Sequence, residues 1–110
     1  MNTKKFIKKP IEMEAIQLLK THKSVTEVYK FIHGEESVKL SCQMAEDYWD
    51  QYVDGIIKDG GLKLKTPESH GETQIASFTD YVFKGYSKEL GWHFWPVKES
   101  YVLENYNEVI

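Results

Sequence analysis

Four histidines (His22, His33, His70 and His93) and a single cysteine, Cys42, are the side chains of this 110-residue chain best suited to metal or nucleophilic chemistry. No two histidines stand at the close spacing that zinc sites use, and no second cysteine can complete a ligand set, so the residues predict no metal centre. Cys42 with His33 would make a nucleophile and base. The thiol, however, stands at the approach to an amphipathic stretch, where a small buried sulfur packs well, and packing is the favoured role. None of Ser41, Ser69, Ser77, Ser87 and Ser100 lies in a Gly-x-Ser-x-Gly elbow. Gly60-Gly61 precedes a strand pattern instead of a helix, so it lacks the N-terminus that cradles phosphate. A site centred on His93 is the remaining catalytic option. The expectation is a protein with no catalytic set, no metal and no cofactor.

Two groups of residues could instead bind. Glu46, Asp47, Asp50 and Asp54 fall on the polar side of a helical repeat, a one-sided negative row able to meet a basic protein or to mimic a nucleic-acid backbone. An ordinary solvated helix face explains the same row. The second group is a ring-rich hairpin with Tyr81, Phe83, Tyr86, Trp92, His93, Phe94 and Trp95. Alternate strand residues enter opposite faces, so some of these rings must lie away from the core, as a partner interface or a platform on which a base could stack. Lys84 and Lys98 would face the anion of such a ligand.

Composition sets the bounds. Hydrophobic residues are 41%, aromatics 14% and charged residues 28%, the balance of one folded domain over 1–110, with residues 1–9 expected as a flexible basic arm. All fourteen cationic side chains are lysine. Without a guanidinium the commonest bidentate contact to guanine is missing, which argues against sequence-specific nucleic-acid binding. Charge is uneven: +4 over residues 1–30, −5 over 31–60 and −2 over 61–110. No apolar run reaches the ~20 residues that span a bilayer, and one cysteine suits a reducing compartment, so a cytosolic protein without membrane contact is expected.

Pro10 opens a strand through residue 19, with a change of parity near Ala15-Ile16 that predicts a bulge. Ser24-Val25-Thr26-Glu27 has the capping-box pattern, predicting a helix over 24–33 that Gly34 stops. Residues 37–40 suggest a brief strand. Met44-Ala45, Tyr48-Trp49, Tyr52-Val53 and Ile56-Ile57 recur every four residues, predicting a helix over 41–58, capped by Ser41 and laid on a sheet. Asp59-Gly60-Gly61 ends it. Leu62-Lys63-Leu64-Lys65 alternates as a half-exposed strand. Strand-like runs over 73–78 and 80–84 follow a turn at 66–72, and the second pairs with 92–97 as a hairpin joined by a loop over 85–91. Tyr101, Val102, Tyr106 and Val109 would dock back as a turn or short strand. The expected fold is α+β: one curved, mainly antiparallel sheet of about five strands carrying two helices.

The two ends of the chain resemble a family of small proteins encoded by tailed bacteriophages and prophages. At the start, Lys9-Pro10-Ile11-Glu12-Met13-Glu14-Ala15-Ile16-Gln17 is similar to that family's Lys-Lys-Pro, apolar strand and Glu-Ala-Ile-Gln. Later, Asp80-Tyr81-Val82-Phe83-Lys84-Gly85, Phe94-Trp95-Pro96-Val97-Lys98 and the Tyr101…Tyr106 tail are similar to its Gly-Asp-Tyr-Ile-Ile-Lys-Gly, Glu-Phe-Tyr-Pro-Cys-Lys and Phe…Tyr-Glu. Thr79 stands in place of the family's Gly, His93 in place of Glu and Val97 in place of Cys, and the acidic helix replaces a shorter connection. The resemblance implies a phage accessory protein acting in the cytoplasm of an infected bacterium, and it brings no catalytic residues. The leading expectation is a non-enzymatic binder of a host component, such as one used in defence or metabolism, with a homodimer through the hairpin as a second association. The alternative is a small-molecule or nucleotide-binding protein.

Overall fold

The computed structural model describes residues 3–6, 12–40, 42–65 and 73–109. Lys8, Lys9, Pro10, Ser41 and the 66–72 turn with Ser69 and His70 lie outside the described residues. In chain order the elements are β1 (Glu14–Gln17), α1 (His22–His33), a 3₁₀ turn (Glu35–Val38), α2 (Gln43–Asp59), β2 (Gly61–Lys65), β3 (Thr73–Ser77), β4 (Tyr81–Ser87), β5 (Gly91–Val97) and α3 (Glu99–Asn105). No described helix is long and apolar enough to cross a membrane.

The class is α+β and the pairing antiparallel, but the five strands divide into two sheets, β1-β4-β5 and β2-β3, instead of forming one. The division occurs where β3 meets the end of β1. Thr79 N–H donates to Leu18 O (2.7 Å) and Leu18 N–H to Asp80 O (2.8 Å). The chain leaving β3 is thereby captured by β1 and re-enters as β4 in the other sheet. Thr79 takes φ 80° in this reversal, a left-handed conformation that costs a β-branched residue about 1–2 kcal/mol and glycine almost nothing.

β1 pairs with β4 in unbroken register from Glu14↔Lys84 to Gln17↔Tyr81, so the expected bulge is absent. The parity changes because the strand ends at Gln17, and Leu18 turns inward to become fully buried. α1 begins at His22, earlier than the capping-box pattern predicts. Thr21 is the N-cap, accepting from Ser24 N–H at 3.1 Å, while Ser24 Oγ accepts from Leu19 N–H at 2.7 Å. The Ser24 hydroxyl is occupied by the end of β1, so the upstream threonine takes over the capping. Residues 35–38 wind as a 3₁₀ turn in place of the brief strand, with Ser37 Oγ donating to Gly34 O. α2 starts after Cys42, which makes no side-chain cap bond and is exposed, contrary to the expected packing role. Gly60 closes α2 in the left-handed region at φ 88°. α3 occupies the segment expected as a turn or strand.

One core joins these parts. Val25 and Val28 from α1, Val53 and Ile56 from α2, Leu62 and Leu64 from β2, Ala76 from β3 and Val82 from β4 meet around Leu18. Apolar burial on this scale is the main stabilising term, at about 25 cal/mol per Å² removed from water. The Trp49 indole N–H donates to Thr26 Oγ1 at 3.1 Å and pins α2 to α1.

Candidate functional site

α2 buries only one edge of its apolar stripe. Val53 and Ile56 are in the core and Trp49 and Ile57 are half-buried, but Met44 and Tyr48 are each 67% exposed and Tyr52 is 49% exposed. At 100° per residue, paired apolar positions every four residues sweep an arc wider than one contact can cover. The outer members of the pairs therefore line a surface beside the core. That spacing is the signal by which the surface could have been found in the sequence.

This surface is concave. Tyr29 from α1, Val38 and Leu40 from the connection, and Tyr48, Trp49 and Tyr52 from α2 bound an open pocket of about 420 Å³. Its rings brace one another. Tyr29 meets Trp49 edge-on at 5.0 Å and Tyr52 edge-on at 5.8 Å, while Trp49 and Tyr52 stack at 5.4 Å. Such pairs contribute about 0.5–1.5 kcal/mol beyond their buried area, so the wall is held in place before anything binds. Burial and the neighbouring Tyr29 raise the Tyr52 phenol above its ordinary pKa, so its hydroxyl stays protonated and its ring neutral. Lys39 also borders the pocket, and its ammonium pairs with Glu36 at 3.4 Å.

The α2 carboxylates of the negative row, Glu46, Asp47, Asp50 and Asp54, are all exposed. Asp47 accepts from Gln43 Nε2 at 3.1 Å, and Asp50 lies 2.8 Å from His22 Nε2, a bond between the helices. Glu46 and Asp54 complete the row on the opposite flank of α2 from Met44, Tyr48 and Tyr52.

The hairpin residues do not act as one surface. Phe83 is 3% exposed, covered by Tyr106 at 5.0 Å and facing Trp95 at 6.1 Å, so it is unavailable to a partner. Trp95 is half-buried and lies across Gly85, where a Cβ would come within 2.7 Å of the indole. His93 stacks on Trp95 at 5.1 Å. Tyr81 and Phe94 are also half-buried, Phe94 edge-on to Phe31 at 5.7 Å. Tyr86 and Trp92 remain outside, 63% and 65% exposed and 5.3 Å apart. Lys84 Nζ sits 4.8 Å over the Trp92 ring. Lys98 Nζ lies 3.6 Å from the Asp80 carboxylate and its side chain is largely exposed. β4 and β5 run to Ser87 and Gly91, so most of the expected 85–91 loop is paired strand.

Gln17, Asp80 and Lys98, drawn from the chain ends that carry the phage resemblance, meet at one end of the three-stranded sheet. Gln17 Nε2 donates to Thr79 O at 3.0 Å and to the Glu99 carboxylate. Asp80, 4% exposed, accepts from Ser77 N–H at 2.9 Å. Every contact in this cluster ties β1, the β3–β4 turn and α3 together, which is a structural role. Among the described residues no three His, Cys, Asp or Glu side chains are placed to hold a metal ion. Comparison with protein families, curated proteins and solved structures finds no match to this chain.

Proposed function

We propose that the protein is a non-enzymatic accessory protein of tailed-phage type, acting in the host cytoplasm, and that it docks a host protein on the outer face of α2. The observation that carries this reading is the exposed run of Met44, Tyr48 and Tyr52 opening into the braced aromatic pocket. Exposed side chains of this kind, contiguous on one face, mark interaction sites more often than isolated ones do. Residues 31–60 carry a charge of −5, with the α2 carboxylates on the flank away from Met44, Tyr48 and Tyr52, so the complementary partner surface is apolar where it meets those residues and net basic beyond them. The Thr79 backbone supports the phage resemblance, because its φ of 80° suits the glycine of the family pattern. The resemblance in turn supports the host setting.

The test is comparative capture from host lysate. Met44→Lys combined with Tyr48→Lys changes two exposed residues, leaves the core untouched, and is expected to abolish capture of a protein that the wild type retains. Tyr86→Ala combined with Trp92→Ala should retain it. The opposite pattern would move the docking site to the hairpin and refute the α2 reading.

A second reading has its own observation. A concavity of about 420 Å³ is within the size of small-molecule pockets, and a saturable thermal shift with a metabolite, lost in Tyr48→Lys, would favour it.

A further inference from the structure

The structure points to the chemistry the aromatic pocket selects: we infer that it receives a cationic side chain, lysine or arginine, presented by the docked protein. This rests on the proposal that α2 is the docking face and adds to it the identity of the anchoring group.

The pocket is walled by Tyr29, Tyr48, Trp49 and Tyr52, the ring types whose faces attract a cation most strongly. Three of the four rings contact one another, so they are fixed and lose little conformational freedom on binding. The Tyr52 hydroxyl stays protonated, and no ionised phenol is needed to attract the charge. Lys39 is the one cation at the rim among the described pocket residues, and Glu36 pairs with it. The wider field is negative. Glu46, Asp47, Asp50 and Asp54 lie across α2 from the pocket, within a stretch of charge −5, so they act on an approaching ligand as a longer-range field and not as rim contacts. An anion would approach against that field, while a neutral apolar group would gain nothing from it. A cation gains from both the ring faces and the field.

The experiment is an NMR titration of the full chain, reading the three indole N–H resonances, with that of Trp49 identified by its loss in Trp49→Phe. The probes are blocked tripeptides, acetyl-Gly-X-Gly-amide, with X as arginine, lysine or citrulline, the last being the uncharged near-isostere of arginine. Arginine and lysine peptides are expected to shift the Trp49 resonance saturably in the millimolar range, leaving Trp92 and Trp95 unmoved. The citrulline peptide should bind at least several-fold more weakly. Tyr48→Phe should keep the binding, while Tyr48→Leu, apolar but without a ring, should weaken it about two- to fivefold. Equal binding of citrulline and arginine, or no Trp49 shift with either cation, overturns the inference. If capture by the α2 face still depends on Met44 and Tyr48, the docking proposal survives that result. Loss of the α2 dependence with the peptide shifts intact would instead leave a cation pocket unconnected to docking.

Discussion

Gly61→Ala is expected to lose about 3 kcal/mol of stability or more, the upper end of what overpacking costs in a closely packed site. A Cβ at Gly61 would sit 2.3 Å from the Ala76 carbonyl oxygen and 3.1 Å from its carbonyl carbon. These are backbone atoms, so no side-chain rotation relieves the overlap. Relief requires β2 and β3 to part where Gly61 pairs with Ser77 and Leu62 with Ala76, and Leu62 and Ala76 are core residues. At about 4 °C per kcal/mol for a domain of this size, the thermal midpoint falls by roughly 12 °C. Gly55→Ala is the contrasting control. Gly55 lies inside α2 with nothing within 4 Å of the added Cβ, so alanine there should raise stability by about 0.5–1 kcal/mol. A scan showing both variants equally destabilised would contradict the placement of β2 against β3.

Asp80→Ala is expected to cost about 2–3 kcal/mol, the range for losing a charge-assisted hydrogen bond and leaving its donor unmatched. The carboxylate accepts from Ser77 N–H and faces Lys98, and the side chain is almost wholly enclosed. The same residue's backbone carbonyl holds Leu18 N–H, so the β3–β4 reversal and the end of β1 loosen together. Asp80→Asn keeps an acceptor for Ser77 and gives up the charge facing Lys98. Urea denaturation should therefore place it between wild type and alanine. If Asn and Ala proved equally harmful, the Lys98 pairing rather than the Ser77 bond would be the stabilising contact.

The elements legible in the sequence were those written in local chemistry. Alternation in Leu62-Lys63-Leu64 and the four-residue recurrence in α2 are read from neighbours in sequence, and the left-handed stop at Gly60 from the residue type alone. What failed depended on partners distant in sequence. Ser24 could not be excluded as the cap without knowing that its hydroxyl is held by Leu19 and Gln17. The two-sheet division turns on Leu18 meeting Thr79 and Asp80, residues more than sixty positions away. Strand propensity says nothing about which edge a strand will join.

The candidate site shows the same split. The carboxylates of α2 were legible as exposed because charge and periodicity agree. The rings of β4 and β5 could not be sorted, since alternation assigns faces without saying which face the tail will cover; Tyr106 settles it for Phe83. Tyr29, Leu40, Tyr48 and Tyr52 form a pocket only because the 3₁₀ turn brings residues 38–40 against two helices, and no local pattern announces that.

The most direct measurement of the central claim places the photoreactive residue p-benzoylphenylalanine at position 48, and separately at position 92, in the full chain produced in the host. Both positions are exposed aromatics, so both should tolerate the bulky ring. The account predicts a covalent adduct with one discrete host protein from position 48 and none from position 92. An adduct formed only from position 92 would place recognition on the hairpin and contradict it.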